Sequence, residues 1–78
     1  MLEIRLKELR NKANITQKEL AKSINTSQQN IAFYEKGERK PKHDMVEKLA
    51  NFFNVSTNYL LGKTDIPEPE SDIDLDSA

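Results

Sequence analysis

Two helix-start signals follow one another so closely that the chain between them has room for one short helix and almost no turn. Thr16, with Glu19 three residues on, is a capping box. Its hydroxyl accepts from a first-turn N–H, and the carboxylate reaches back to the cap's own N–H. Ser27 is the second start, ahead of Gln28-Gln29-Asn30-Ile31-Ala32-Phe33-Tyr34-Glu35-Lys36, and Gly37 stands where that helix must end. The spacing predicts helices over about 17–24 and 28–36, joined by only Asn25-Thr26. So short a connection leaves no antiparallel return path, and the two helices must cross steeply.

The flanking sequence supplies the rest of an all-α globule. Leu2, Leu6, Leu9 and Ala13 recur at helical spacing, which predicts a first helix closed by Asn14. Leu20, Ala21 and Ile24 form the inner face of the next, and Ile31 with Tyr34 that of the third. Val46, Leu49, Ala50 and Phe53 make a stripe on a fourth helix, from about His43 or Asp44 to Phe53, ended by Asn54. Ser56 caps a last short helix through Tyr59-Leu60-Leu61 to Gly62. No segment alternates with the period of a strand. Five short helices with tight connections pack as a compact five-helix globule rather than as a coiled coil.

Charge divides the chain. Residues 1–63 hold all 12 Lys and Arg and 7 of the 13 acids, a balance of +5. Residues 64–78 hold the other 6 acids and no base. The net charge of −1 therefore hides a basic body that attracts polyanions and an acidic tail. The tail, with Pro67, Pro69 and no apolar periodicity, is expected to be disordered from about residue 65. The domain boundary is set at 1–63, with 64–78 a tail or linker.

Steeply crossed helices with a turn this short are a helix-turn-helix, which lets one helix lie across a DNA backbone while the next enters the major groove. Such a pair also occurs as pure structure. Gln28 and Gln29 sit where a second helix meets base edges, and a Gln amide pairs with N7 and N6 of one adenine. Read as ordinary residues, they are a solvated helix start. Arg39, Lys40 and Lys42, in the loop just after that helix, form a candidate phosphate clamp, with Ser27, Asn30 and Lys36 as further candidates. Otherwise they are a solvated basic loop and helix surface.

Several motifs together carry a resemblance. Thr16-Gln17-x-Glu19-Leu20-Ala21, Ser27-x-x-x-Ile31-x-x-Tyr34-Glu35-x-Gly37-x-x-x-Pro41, Leu49-Ala50 and Val55-x-x-x-Tyr59-Leu60-Leu61 resemble the Cro/C1-type (xenobiotic-response-element-type) helix-turn-helix family over about residues 2–62. Ser27-Gln28-Gln29 also resembles the start of the recognition helix in lambdoid phage repressors. The resemblance implies a lambda-repressor-like five-helix fold, double-stranded operator DNA as partner, and dimeric binding. It implies base contacts from Gln28 and Gln29, a phosphate contact from Gln17, and an ion pair between Arg10 and Glu35. The chain departs from the pattern at Phe33, where the family often has a polar residue facing the groove. Phe33 is read as a third base contact, through a thymine methyl, with packing against the fourth helix or a partner as the alternative. Asn14, Asn25 and Asn54 stand where the family often has Gly, and Asn is the next-best residue for a left-handed turn.

A homodimer is expected from the resemblance, with Phe52, Asn54, Thr57, Asn58 and Leu61 as the candidate interface on the last two helices. The leading expectation is a sequence-specific transcriptional regulator, a repressor more than an activator, acting on a near-palindromic site. The competing expectation is an interaction module of the same fold, such as an antitoxin, whose acidic tail folds on a protein partner. An enzyme is not expected. There is no Cys, a single His43, no nucleophile set and no phosphate-cradling Gly loop, so neither a metal nor a cofactor is indicated. No apolar run approaches the roughly 20 residues of a membrane helix, and the start lacks a signal-peptide shape. A soluble, cytoplasmic protein is the expectation.

Overall fold

Among the described residues, three of the five helices begin on a hydroxyl cap. In the computed structural model, which describes residues 1–69, Thr16, Ser27 and Ser56 are extended and accept from Glu19, Asn30 and Tyr59 backbone N–H groups. They start α2 (Gln17–Ser23), α3 (Gln28–Lys36) and α5 (Thr57–Leu61). The Thr16–Glu19 capping box is complete in both directions, at 3.0 and 2.8 Å. α1 (Leu2–Lys12) and α4 (His43–Phe53) have no side-chain cap, though Asp44 lies in the first turn of α4, where the helix dipole favours a carboxylate.

All five helices stop in the same way. Each is followed by a left-handed residue: Asn14, Asn25 and Asn54 at φ 56–60°, Gly37 at 76° and Gly62 at 83°. The next N–H then turns back to close the last turn, as Thr26 does on Ala21 (2.9 Å) and Glu38 on Phe33 (3.0 Å). This double closure satisfies carbonyls that a helix end otherwise leaves unpaired. Gly62 is further constrained by packing, since a Cβ there would lie 2.3 Å from the Met1 side chain.

The core takes one fully enclosed side chain from each helix: Leu6, Leu20, Ile31, Leu49 and Leu60. Ala21, Ile24, Tyr34, Val46, Ala50 and Val55 complete it. The expected stripes supply these residues, with three differences. Ala13 is exposed because α1 ends at Lys12, so the position has left the helical face. α2 ends at Ser23, one residue early, with Ile24 buried as its cap. Val55 lies outside any helix yet is buried, and its N–H closes α4 on Ala50.

The tail departs from the expectation of disorder over its first residues. Residues 64–69 lie along α1, α5 and the end of α4. Arg5, its side chain 12% exposed, donates to the carbonyls of Tyr59 and Thr64 and pairs with Asp65. Its guanidinium also stacks on the Tyr59 ring, 4.1 Å from the centroid. The Ser56 N–H, which lies outside its own helix's ladder, donates to the Pro67 carbonyl at 2.9 Å. Pro69 reaches a notch beside Asn51, Val55 and Thr57. Donors left over by the body thus hold backbone that composition alone marks as unpaired. The remaining acids, from residue 70 on, lie outside the described residues.

Candidate nucleic-acid interface

The turn between α2 and α3 sets the site. α2 closes on left-handed Asn25, Thr26 bridges, and Ser27 caps α3 at once, so no slack remains between the two helices. Their relative placement is fixed a second time by a carboxylate. The Glu35 side chain, only 4% exposed, accepts from Arg10 Nε at 2.6 Å and from Arg10 NH2 at 3.2 Å. Gln17 Nε2 donates to the same carboxylate at 3.1 Å, and Arg10 NH1 reaches the Ile15 carbonyl at 2.9 Å. One anion therefore joins α1, the α1–α2 turn, the start of α2 and the end of α3. A two-pronged, charge-assisted contact of this kind fixes geometry as well as energy.

The outward face of α3 presents the residues singled out by the sequence. Ile31 and Tyr34 are buried, which turns Gln28, Gln29 and Lys36 to solvent and leaves Ala32 and Phe33 half-buried. Gln28 and Gln29 are the first residues of the helix, exposed at its N-terminal end. Gln28 also faces Gln17 across a notch lined by Arg10, Asn11, Ile15 and Thr16.

Other candidates are engaged within the chain. Asn30 Nδ2 donates to Thr26 Oγ1 at 3.0 Å, and its Oδ1 accepts from Arg39 NH1 at 3.1 Å. The Arg39 guanidinium lies over the Phe33 ring, 5.0 Å from its centroid. The Gln17 side chain donates one of its two amide hydrogens to Glu35, and Gln17 is the first residue of α2, the end where a helix favours an anion. The Ser27 hydroxyl serves the Asn30 backbone N–H. Lys36, Arg39, Lys40 and Lys42 are exposed and gather at and after the end of α3. Beside them Glu3 has its carboxyl held below the ordinary range, first by a hydrogen bond from the chain's N-terminal ammonium, then by its own backbone N–H, with a weaker pull from Lys40.

The candidate dimer residues differ in exposure. Phe52 is 41% exposed, meets Phe53 edge-on at 4.9 Å and borders a groove with Ser23, Ile24, Asn25, Lys48 and Asn51. Leu61 packs on the core beside Met1 and Leu2. Asn54 is the exposed left-handed residue after α4, and Thr57 and Asn58 are half-buried. His43 pairs only loosely with Glu47, at 3.5 Å, both exposed.

Sequence reasoning missed Arg5, Thr26 and the partnership of Arg39 with Phe33. Thr26 and Asn30 do stand at a helical i, i+4 spacing, a signal that was available. Arg5 and Arg39 act on residues far along the chain or across a loop, and carry no local mark.

Comparison with known proteins agrees with this architecture. A helix-turn-helix family model matches residues 6–60. The HTH-type transcriptional regulator ImmR of Bacillus subtilis is 50% identical over 62 residues, covering 80% of this chain and 49% of that protein. The HTH-type transcriptional regulator YobD of the same organism is 36% identical over 66 residues, 85% of this chain and 59% of that protein. The cryptic phage CTXphi transcriptional repressor RstR of Vibrio cholerae is 36% identical over 55 residues, 70% of this chain and 50% of that protein. The chain thus spans about half the length of these three relatives.

Proposed function

The chain belongs to the Cro/C1-type helix-turn-helix family of DNA-binding transcriptional regulators, and from that premise we propose that it is a sequence-specific repressor which inserts α3 into the major groove of its operator. The observation that carries this reading is the pair Gln28 and Gln29, exposed together at the front of α3, with Lys36, Arg39, Lys40 and Lys42 gathered at its far end. Base readers at one end and cations at the other match the division between contacts that specify and contacts that position. Ser27 and the α2 terminus at Gln17 supply N–H groups that suit phosphates on either side of the groove. The likeness to RstR, a phage transcriptional repressor, supports repression over activation.

On this reading the protein acts in the cytoplasm as a homodimer on a near-palindromic operator, with half-sites about 10 bp apart. Phe52 is the exposed aromatic best suited to a contact between copies. The acidic residues beyond 69 would serve a protein partner or link to a further domain.

Selection of bound duplexes from a random pool tests the proposal. Enrichment of inverted repeats whose half-sites contain adenine is expected. Recovery of a pool with no preferred sequence would contradict it.

A further inference from the structure

Phe33 is one of the residues at which this chain departs from its family's pattern, and its ring is engaged within the chain. It sits one helical turn beyond Gln29 on the outward face of α3. Its ring face is covered by the Arg39 guanidinium, at 5.0 Å. Arg39 comes from the loop after Gly37 and is held from a second direction by Asn30 Oδ1 at 3.1 Å. Asn30 is itself anchored, through Nδ2, to Thr26 Oγ1 in the turn before α3. A long, exposed arginine would ordinarily sample many rotamers. Here a π-face and an amide oxygen both favour one placement, and the edge of the guanidinium fork stays open.

We propose that Phe33 and Asn30 are positioning residues that hold Arg39 ready beside Gln29, and that Arg39, not Phe33, is the third DNA-contacting side chain of this face. The inference rests on the DNA-binding reading above. The fork suits a pair of acceptors, which duplex DNA offers either as the O6 and N7 of a guanine or as two oxygens of a phosphate. Holding the side chain in place before binding lowers the entropy lost when the contact forms.

The test is a double-mutant cycle on the selected duplex, with the whole 78-residue chain. Phe33→Leu keeps an apolar surface able to touch a thymine methyl but removes the π-face. With Arg39 present it is expected to weaken binding about two- to fivefold, the range of an exposed cation–π contact. In an Arg39→Ala background the same change is expected to cost nothing further. Phe33→Trp should restore wild-type affinity, because it restores the platform. Asn30→Ala should follow Phe33→Leu in losing its effect once Arg39 is gone. Repeating the Arg39→Ala measurement on duplexes altered one base pair at a time separates the two acceptors. A loss confined to one guanine identifies a base contact, and a uniform loss with a weaker salt dependence identifies a phosphate.

An equal penalty for Phe33→Leu with and without Arg39, or no penalty in either, would overturn the inference, since the ring would not then act through Arg39. That result leaves the Gln28 and Gln29 reading intact. Wild-type protein that binds no duplex would overturn both.

Discussion

At the scale of single residues, Glu35 holds the helix pair in place. Its carboxylate takes three donors from two side chains and is almost wholly enclosed, so removing it strands the Arg10 guanidinium. Glu35→Ala should cost about 3–5 kcal/mol, the range for breaking an enclosed ion pair from one side. A domain this small has little more stability than that to lose. Urea denaturation followed by circular dichroism would check it, with a midpoint far below wild type expected. A loss under about 1 kcal/mol, the figure for an exposed pair, would contradict the account. The Arg10–Glu35 pair is anticipated only through the resemblance, because 25 residues of chain separate the partners and nothing local links them. The resemblance gives Gln17 a phosphate role, and its amide also supports Glu35, a partner that the resemblance does not name. A side chain at a crossing of three helices has competing partners that no spacing rule ranks.

Among the elements, the turn of the helix pair is held by Asn25 in a conformation that costs an ordinary L-residue about 1–2 kcal/mol. Asn25→Ala should therefore lower stability by about 1 kcal/mol, while Asn25→Gly should leave it unchanged or slightly higher. Thermal melts of the pair of variants decide this. Equal losses for both would mean that the Asn side chain, not the backbone, matters. Helix starts and stops are the best-read part of the sequence. Thr16, Ser27, Gly37, Asn54, Ser56 and Gly62 each act through their own backbone or the next turn, so their effect is local and visible. The strap of residues 64–69 is not local. It depends on Arg5, whose partners lie 54 and more residues away, and composition by itself points to disorder there. Arg5→Ala should cost about 1.5–3 kcal/mol, chiefly through the carbonyls of Tyr59 and Thr64. The Asp65 pair, with its carboxylate almost fully exposed, should add little. Hydrogen exchange at Ser56, whose N–H is bonded to Pro67, would quicken in that variant if the strap is released.

For the whole molecule, the division of charge matters more than its sum. The basic residues gather at and after the end of α3, while the strap's contacts run along α1, α4 and α5. On the proposed reading, long-range attraction to DNA and the choice of sequence belong to different side chains, and salt separates them. The most direct measurement compares Gln29→Ala with Lys40→Ala on the selected operator and on an unrelated duplex, across a series of salt concentrations. Gln29→Ala should weaken operator binding by about 1–3 kcal/mol, leave binding to the unrelated duplex unchanged and keep the salt slope. Lys40→Ala should weaken both and reduce the slope by about one. If Gln29→Ala lowered both affinities equally, or neither, α3 would not be reading bases through its first turn, and the central claim would be wrong.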